Sequence, residues 1–442
     1  MQQLSHLLPN LLSRLKIDAL NAMQTASITA NEQHNNVVLL SATGSGKTLA
    51  FLLPVLALLD PEQRKTQALV VVPSRELAMQ IEKVFKQMGT GFKVTCCYGG
   101  HLRETEERNL VEAPALLIGT PGRLGDHIRR RNITTDTIET LVLDEFDKTL
   151  ESGFHEEVDF IIRSLPALKK RILTSATEAV EIPDFIGLDD PLKLNFLSPA
   201  DDIPEGLAIK LVHSDAKDKL KTLFKLICYL GNRSTVVFCN HRESVERTST
   251  YLSEQSVTNV FYHGAMEQRD RDVALCKFRN GTSNLLVTTD LASRGLDIPN
   301  IRYIIHFHLP QTEEIFTHRN GRTARMDASG TAILILSPEE PRPEFVAQET
   351  EIIDLPQTDT LPEKPKWSTL FIGAGKKDKI NKVDIVGFLS NKGALKKEDI
   401  GLIDVKDFFS FVAIRKTKMG EVLRLIQGEK IKNKKVKMNI AR

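Results

Sequence analysis

The stretch NNVVLLSATGSGKT, residues 35–48, points to the architecture of this chain. A short apolar run, typical of a buried strand, leads into a loop with two glycines and then into the helix-forming stretch LAFLLPVLALL, residues 49–59. The loop matches the phosphate-binding pattern G-x-x-x-x-G-K-[ST], with Ser41 in the first glycine position. Its backbone N–H groups and the start of the helix form a cradle for phosphate. The residues predicted to form this nucleotide loop are Ser41, Thr43, Gly44, Ser45, Gly46, Lys47 and Thr48.

A second apolar run continues into three acids in TLVLDEFD, residues 140–147. Burying unpaired carboxylates is costly, so a cation is expected to lie opposite them. In an open parallel sheet, ligands bind beyond the carboxyl ends of the strands, where these acids and the phosphate loop would meet. We expect Lys47 to contact the phosphates of ATP, and Thr48 and Asp144 to hold Mg²⁺. Glu145 would then orient and deprotonate the attacking water.

Composition restricts the class of protein. The chain has 442 residues, of which 41% are hydrophobic and 26% are charged, as is usual for soluble globular proteins of two or three domains. It contains no apolar run of about 18 residues, and its N-terminus lacks a basic start and a cleavage site, so neither a membrane span nor a signal peptide is predicted. The five cysteines show no metal-ligand spacing, which favours reduced thiols and a cytoplasmic location.

The charge is distributed unevenly along the chain. Residues 364–442 carry 20 Lys and Arg against 8 Asp and Glu, whereas the preceding residues carry 39 against 49. A basic tail on an acidic body favours a polyanionic partner such as nucleic acid, held mainly by the tail. A solvated lysine-rich surface is the alternative interpretation.

Short apolar runs recur along the chain, separated by segments of helix length, and this alternation is typical of parallel sheets built from βα units. The series restarts after KLVHSD, residues 210–215, which predicts two α/β domains. A segment rich in proline and acids then indicates a linker, and the remainder has the periodicity of a small α+β module. The predicted division is a first domain at 1–204, a second at 205–340, a linker at 341–366 and a C-terminal module at 367–442.

The motifs resemble those of the DEAD-box RNA helicases. DEFD resembles the DEAD box, with Phe146 where alanine is usual, and further motifs follow in the order of that family. They are PSRELAMQ (73–80), a glycine pair (99–100), TPGR (120–123), SAT (175–177), VVFCN (236–240), TTDLASRGLDIP (288–299) and HRNGRTAR (318–325). The resemblance implies two tandem RecA-like parallel-sheet domains, ATP and Mg²⁺ as cofactors, and ATP hydrolysis stimulated by RNA.

Further residues take their roles from this resemblance. Arg322 and Arg325 lie three apart in a Gly-containing segment, and guanidinium groups suit phosphate. The resemblance implies that they are the arginine fingers. The resemblance also implies that Asp297 contacts the ribose. Coupling roles are expected for Ser175, Thr177 and His318. The residues expected to hold RNA are Pro73, Arg75, Gly100, Thr120, Arg123, Arg271, Thr289, Arg294 and Gly295.

The stretch KIDALNAMQTAS, residues 16–27, departs from the family pattern. The family carries an aromatic residue, a threonine and a glutamine there for adenine recognition. Gln24 fits, but Ile17 takes the aromatic place and Asn21 lies in the threonine region. Ile17 offers contact area without π-stacking, so we predict ATP use with weaker adenine discrimination than in a typical relative.

The C-terminal module resembles the RNA-binding domain of the DbpA subgroup, bacterial DEAD-box helicases directed to 23S ribosomal RNA in assembly of the large subunit. Its expected fold is RRM-like, with strands in LFI (370–372) and DFFSFVAI (407–414). Alternation places Phe409 and Phe411 on one face of the second strand, opposite Phe408, Val412 and Ile414. Two interpretations stay open: Phe371, Phe409 and Phe411 stack on bases, or the strand is covered on both faces. The basic loop residues Lys376, Lys377 and Lys379 are the stronger candidates for RNA contact.

Three functions agree with these patterns. The favoured one is an RNA-stimulated ATPase that unwinds short RNA duplexes, with 23S rRNA or a large-subunit precursor as partner and no required protein partner evident. The alternatives are an ATP-controlled RNA clamp or scaffold without productive unwinding, and a DNA-directed superfamily-2 ATPase.

Overall fold

The computed structural model describes residues 2–42, 44–100, 103–151, 153–177, 182–197, 207–290, 301–321, 330–357 and 360–441. The chain divides into two compact units between Ile203 and Pro204. The first unit holds the first α/β domain, and the second unit holds the second α/β domain together with the C-terminal module.

The first domain is built on a seven-stranded sheet. Its strands are β1 (Asn36–Ser41), β2 (Ala68–Val71), β3 (Val94–Cys97), β4 (Leu116–Gly119), β5 (Thr140–Leu143), β6 (Lys170–Ser175) and β7 (Leu192–Phe196). They are all parallel and lie in the order β3-β4-β2-β5-β6-β1-β7. The central strands are apolar at nearly every position because helices cover both faces of the sheet.

The helices of the first domain cover this sheet. They are α1 (Gln2–Leu15), α2 (Ala22–Gln33), α3 (Lys47–Leu58), α4 (Arg75–Met88), α5 (Arg103–Leu110), α6 (Pro121–Arg129), α7 (Phe146–Glu151) and α8 (His155–Arg163). Polar caps define where α2 and α4 begin: Asn21 accepts a hydrogen bond from Gln24 N, and Ser74 accepts one from Leu77 N. Since the helices follow the strands, their N-termini lie near the carboxyl edge of the sheet.

The second domain repeats this arrangement. Its strands are β8 (Leu207–His213), β9 (Thr235–Cys239), β10 (Val260–Tyr262), β11 (Leu285–Thr289), β12 (Tyr303–His306), β13 (Gly330–Leu336) and β14 (Glu351–Ile352). They are also parallel, in the order β10-β11-β9-β12-β13-β8-β14. Its helices are α9 (Leu220–Leu230), α10 (Arg242–Glu254), α11 (Gln268–Arg279) and α12 (Glu313–Asn320). The predicted linker, 341–366, supplies strand β14 and two buried side chains, Val346 and Ile353.

The C-terminal module contains antiparallel strands and two helices. The elements are β15 (Trp367–Ile372), α13 (Lys382–Asn391), β16 (Ile400–Val405), β17 (Ser410–Arg415), α14 (Lys416–Leu425), β18 (Lys430–Ile431), β19 (Lys434–Lys435) and β20 (Met438–Ile440). Four strands form a sheet in the order β16-β17-β15-β20, and β18 pairs with β19. Both helices pack on one face of that sheet through a common apolar core. The predicted fold class, two RecA-like parallel-sheet domains followed by a small RRM-like domain, is confirmed. None of the helices in the described part of the chain is long and apolar enough to cross a membrane.

Candidate active site and RNA-binding surfaces

The phosphate loop lies between β1 and α3, as predicted. Gly44 and Gly46 both have positive φ, of 87° and 94°, a conformation that glycine adopts without steric cost. A Cβ atom on Gly46 would lie 2.6 Å from Gln24 Nε2, and although that flexible side chain could shift, the backbone conformation requires glycine there. Ser41 and Ser45 are joined by a hydrogen bond of 2.8 Å between their hydroxyl groups. Thr43, also predicted for this loop, lies outside the described residues.

Lys47 begins α3 and is buried at the base of the loop. Its Nζ donates to the carbonyl oxygens of Ser41 and Ala42, the latter at 3.1 Å. The ammonium group is thereby held inside the curve of the loop, where phosphate oxygens would lie. Thr48 follows it and is half-buried at the start of the helix.

Gln24 connects the start of α2 to the phosphate loop. Its Nε2 donates to Gly46 O at 3.2 Å, and its Oε1 accepts from Asn21 N at 3.1 Å. Asn21 Nδ2 in turn donates to Ser45 O at 2.9 Å. The two amides therefore brace the loop, a role for Asn21 that the sequence pattern did not indicate. Adenine recognition by Gln24, and the effect of Ile17, remain predictions.

The acids follow β5 at the same edge of the sheet. Asp144 is only 3% exposed, and its Oδ1 accepts hydrogen bonds from Glu145 N at 3.1 Å and from Thr174 Oγ1. Glu145 has a positive φ of 49°, an uncommon conformation for a residue with a side chain. Thr174 was missed by the sequence analysis. Leu143 and Leu173 are register partners on the neighbouring strands β5 and β6. Asp144 and Thr174, which follow them in the chain, therefore lie side by side.

The electrostatics of this edge favour a cation. The pKa of Asp144 is raised to about 6, first by burial and then by the neighbouring Glu145 carboxylate, against the lowering effects of Thr174 and Lys47. Glu145 Oε2 is buried and has no hydrogen-bond partner among the described residues. Two carboxylates and the Thr48 hydroxyl are the hard oxygen donors that Mg²⁺ prefers. The donor set therefore fits the predicted Mg²⁺, which Thr48 and Asp144 would hold.

The predicted coupling residues lie at the end of β6, with Ser175 as its last residue and Thr177 two residues beyond it. Ser175 Oγ accepts from Thr177 N at 3.0 Å and donates to Thr177 O at 2.7 Å, which forms a tight turn. Thr177 Oγ1 donates to Asp147 Oδ2 at 3.4 Å. Thr174, the residue before SAT, donates to Asp144, so the segment 174–177 forms hydrogen bonds with both aspartates of DEFD.

Several of the predicted RNA-binding residues of the first domain meet where β2, β3 and β4 end. Arg75 begins α4, and its guanidinium lies 3.3 Å from the position of a Cβ on Gly99. Gly100 has a positive φ of 97°, and Thr120 is the N-cap residue of α6. These strands are neighbours in the sheet, so residues from three motifs converge on one edge. Half-buried Pro73 lies between β2 and α4 at the same edge.

Arg123 is positioned by a buried acid that the sequence analysis missed. Its Nε lies 3.4 Å from Glu106 Oε2, and Glu106 is 1% exposed. The same carboxylate accepts from Tyr98 N and from His127 Nε2, each at 2.8 Å. Asn132 Nδ2 donates to the other ring nitrogen of His127 at 3.0 Å, which assigns the proton on the imidazole to Nε2. The sequence signal was weak because Glu106 lies in a helix of mixed charge.

Arg319 is the central polar residue of the second domain and was also missed. It is 2% exposed, and its guanidinium binds Asp290 through two bonds of 2.6 and 2.7 Å. It also donates to Asn240 Oδ1 at 2.9 Å and to His308 O at 2.7 Å. Motifs from three separate stretches of the second domain are therefore joined by one side chain.

The remaining predicted residues of this domain differ in how they are placed. Thr289 ends β11, and His318 is half-buried in α12. Arg271 is buried, with its guanidinium donating to Tyr262 Oη at 2.8 and 3.1 Å, so its placement does not support the predicted phosphate contact. The predicted residues outside the described part of the chain are Arg294, Gly295, Asp297, Arg322 and Arg325.

Comparison with known proteins agrees with this arrangement. A DEAD/DEAH box helicase model matches residues 21–185, a helicase conserved C-terminal domain model matches 218–327, and a DbpA RNA binding domain model matches 369–440. The ATP-dependent RNA helicase DbpA of Escherichia coli (strain K12) is 34% identical over 97% of this chain and 96% of its own length. The chain belongs to the DbpA-type DEAD-box ATP-dependent RNA helicases.

Further relatives extend the comparison. The ATP-dependent RNA helicase DbpA of Bacillus subtilis (strain 168) is 30% identical over 99% of this chain and 98% of its own length. Among solved structures, Dbp5 of S. cerevisiae bound to RNA and ADP BeF3 aligns with a TM-score of 0.66 at 25% identity, covering 75% of this chain and 88% of that chain. The predicted family and the predicted use of ATP are confirmed, and the residue roles stay predictions.

The C-terminal module of this DbpA-type helicase carries a basic surface, which we call the lysine surface. It consists of the turn with Lys376, Lys377 and Lys379 and the β18–β19 hairpin. Lys434 Nζ lies 2.9 Å from Asp378 Oδ1, and Lys432 Nζ donates to Lys379 O at 2.8 Å. Two basic loops that are far apart in the sequence therefore form one surface, with the predicted lysines exposed.

The aromatic face of the module is packed rather than open. Phe411 is fully buried against Val273 and Cys276 of α11, with Phe371 and Phe409 partly buried beside it. Val412 and Ile414 lie in the core on the other face of β17. Of the two interpretations left open, the strand is thus covered on both faces. Phe408, expected on the same face as Val412 and Ile414, precedes the strand and is 57% exposed.

Polar contacts hold the same interface together. Asn280 Nδ2 donates to Thr369 Oγ1 at 2.9 Å, and the hydroxyl groups of Thr282 and Thr369 lie 2.8 Å apart. Thr369 is buried on β15, so its hydroxyl is satisfied by the second domain. The module and the second domain share a packed surface in which apolar and hydrogen-bonded contacts are both present.

Proposed function

We propose that this DbpA-type helicase hydrolyses ATP in response to RNA and uses the cycle to separate short RNA duplexes in 23S ribosomal RNA, during assembly of the large ribosomal subunit in the cytoplasm. The observation that carries the proposal is the lysine surface of the C-terminal module, present in the same chain as the nucleotide edge of the first domain. The names of the relatives support RNA and ATP.

The nucleotide edge supplies the groups that hydrolysis needs. Lys47 is held within the loop for the β- and γ-phosphates. Glu145, whose buried Oε2 has no hydrogen-bond partner among the described residues, would accept the proton of the attacking water. Thr174 fixes the orientation of Asp144, which with Thr48 would hold Mg²⁺. Bound Mg²⁺ neutralises developing charge on the phosphate oxygens. By resemblance, Arg322 and Arg325 complete the charge stabilisation.

RNA would be held by two kinds of surface. In the first domain, arginines and backbone N–H groups at the ends of β2, β3 and β4 suit phosphates and do not read bases. In the module, the lysine surface concentrates positive charge on one side of a small domain. The second surface is the one that would direct the protein to its particular RNA.

The test compares stimulation of ATP hydrolysis by fragments of 23S and 16S ribosomal RNA. Exchanging Lys376, Lys377 and Lys379 for alanine should weaken binding of the 23S fragment and reduce the salt slope of its affinity by about 2, given about 0.7 to 0.9 per phosphate contact. The matched control exchanges the three lysines Lys392, Lys396 and Lys397 and should leave the slope nearly unchanged.

Two outcomes would overturn the proposal. Equal stimulation by 16S and 23S fragments would remove the assignment to 23S rRNA. Stimulated hydrolysis without separation of a short duplex, together with ATP-dependent retention of the RNA, would identify an RNA clamp instead. A DNA-directed enzyme would be recognised by stimulation with DNA and not with RNA.

A further inference from the structure

Phe408 lies in the loop that joins β16 to β17, beyond the end of the strand that carries the packed aromatic face. Lys406 N donates to Phe409 O at 2.9 Å, which closes a loop of two residues. We call these two residues, Asp407 and Phe408, the hairpin tip. The ring of Phe408 is more than half exposed while the module is packed on α11, so a ligand can reach it without separating the two.

The fold does not explain a phenylalanine at the hairpin tip. Loops of two residues between antiparallel strands favour glycine, asparagine and aspartate, so Asp407 suits the turn and Phe408 does not. Among the described residues, Phe408 belongs neither to the apolar core of the module nor to the aromatic cluster on α11. A single exposed apolar side chain is common on protein surfaces, so exposure alone indicates no partner. The neighbours of Phe408 are what indicate one.

Backbone hydrogen bonds fasten the hairpin tip to the lysine surface. Lys376 N donates to Lys406 O at 2.9 Å, and Lys377 N donates to Asp407 O at 2.8 Å. A Cβ atom on Gly375 would lie 2.6 Å from Asp407 O and closer still to Lys406 O, so only glycine allows the two loops to approach this closely. The hairpin tip is therefore held in one position beside the lysines.

The surroundings of the exposed ring are positively charged. Lys376, Lys377 and Lys379 are all exposed, and Asp407 is the exposed acid beside them. Proteins that hold single-stranded RNA combine cations for the phosphates with aromatic rings on which the bases stack. A ring fixed next to three ammonium groups matches both parts of one unpaired nucleotide. An apolar protein partner would gain nothing from these charges.

We propose that Phe408 stacks on an unpaired base of the RNA whose phosphates are held by Lys376, Lys377 and Lys379. The inference rests on the proposed function, because it assigns a further contact to that RNA. Every base has a π-face, so this contact adds affinity and selects an unpaired nucleotide without reading which base it carries. The stacking site is the hairpin tip and is separate from the sheet face that α11 covers.

The test measures the affinity of the full chain for a 23S rRNA hairpin at several salt concentrations, by fluorescence anisotropy of labelled RNA. Phe408→Ala should weaken binding about tenfold at every salt concentration, the loss expected for one stacked base. The salt slope should stay unchanged, because stacking neutralises no phosphate. Phe408→Trp keeps an aromatic ring and should bind like the wild type, whereas Phe408→Leu keeps only apolar area and should lose most of the affinity.

The control is Leu402→Ala, which shortens another exposed apolar side chain of the same module, on β16, and should leave the affinity unchanged. On a blunt RNA duplex without unpaired nucleotides, Phe408→Ala and the wild type should bind equally. Equal thermal unfolding midpoints would show that the variants are folded.

Four results would overturn stacking by Phe408. They are wild-type affinity of Phe408→Ala for the hairpin, wild-type affinity of Phe408→Leu, an equal loss in Leu402→Ala, and an equal loss of Phe408→Ala on the blunt duplex. Failure of the wild-type protein to bind the hairpin, or to hydrolyse ATP in its presence, would instead overturn the proposed function.

Discussion

The first and second domains carry seven-stranded parallel sheets with the same relation between chain order and spatial order, so each position at the carboxyl edge of one has a counterpart in the other. Lys47 follows the first strand of its domain, as Lys219 follows β8. Asp144 and Glu145 follow β5, whereas Phe307 and His308 follow the equivalent strand β12. One topology therefore carries two different sets of side chains.

The carboxyl edges of the two sheets differ in how their charged side chains are paired. Lys219 Nζ donates to Ile335 O at 3.0 Å and to Glu340 Oε2 at 2.8 Å, and lies 5.7 Å from the centroid of the Phe307 ring. Its charge is matched within the second domain. At the first edge, by contrast, Glu145 retains a carboxylate oxygen without a hydrogen-bond partner among the described residues. The comparison teaches that the shared fold brings these positions together, while the side chains decide whether a nucleotide can bind there.

The largest expected effect concerns how the second domain takes part in hydrolysis. Arg322→Ala and Arg325→Ala should each lower kcat by about 10³ to 10⁵, because an arginine finger acts mainly on the transition state. Single-turnover hydrolysis in the presence of RNA measures this. If both variants hydrolysed ATP normally while Lys219→Met did not, the second edge itself would be part of the active site.

The two lysines provide the next test of the comparison. Lys47→Met should lower kcat by about 10² to 10³, since it removes a fixed donor to the phosphates. Lys219→Met should leave kcat within a few-fold and lower the free energy of unfolding by about 1 to 3 kcal/mol, because Glu340 loses its partner. ATP hydrolysis and urea unfolding are measured on both variants. If Lys47→Met and Lys219→Met lowered kcat equally and lowered the free energy of unfolding equally, the two lysines would not differ in role.

Thr174 provides a test within the first edge. Thr174→Val removes the donor to Asp144 and should reduce activity at limiting Mg²⁺ by about ten- to hundredfold, as for other residues that orient a metal ligand. Thr174→Ser keeps the hydroxyl and should restore activity. The counterpart in the second sheet is Ile335, and Ile335→Val should leave the Mg²⁺ dependence unchanged. Equal Mg²⁺ dependence in Thr174→Val and Thr174→Ser would refute the role of the hydroxyl.

The smallest effect concerns pH. The pKa of His308 is lowered to about 4, first by burial and then by the charge of Lys219. Since the unfolded chain binds a proton near pH 6.5, His308 contributes stability that is present above that pH and is lost as the pH falls towards 4. The loss should be roughly 2 kcal/mol, reduced from the full shift because the ring is only partly buried.

Unfolding of wild type and His308→Asn between pH 4.5 and 7 measures this contribution. The difference between their free energies of unfolding should shrink as the pH falls, because the asparagine does not titrate. A constant difference across this range would show that His308 has an ordinary pKa.

The patterns that the sequence analysis interpreted correctly are local. An apolar run followed by SATGSGKT indicates a strand, a phosphate loop and a helix, because glycines with positive φ and an exposed helix start are needed within a few residues of one another. The order of the motifs identified the family, and the family and fold class were both confirmed. Of the lysine surface, the sequence analysis anticipated the loop with Lys376, Lys377 and Lys379.

The omissions involve residues that meet only in three dimensions. Thr174 and Asp144 are 30 residues apart and contact each other through strand register, and Arg319 and Asp290 are 29 apart. Arg271 was expected to hold RNA, which stays a prediction, and nothing in the sequence indicated that its guanidinium would donate to Tyr262 in the interior. The spacing of residues along the chain does not show which distant residues contact each other.

By itself, the sequence determined that this protein has two βα domains, a phosphate loop, acids at the end of a strand and a basic C-terminal module, because each is encoded by neighbouring residues. Only the tertiary structure decided that Glu145 at the first edge has a carboxylate oxygen without a hydrogen-bond partner among the described residues, whereas Lys219 at the second edge is paired with Glu340. It also decided that Phe411 packs on α11 instead of facing solvent. Burial and pairing depend on what lies opposite a side chain, and distant parts of the chain supply that.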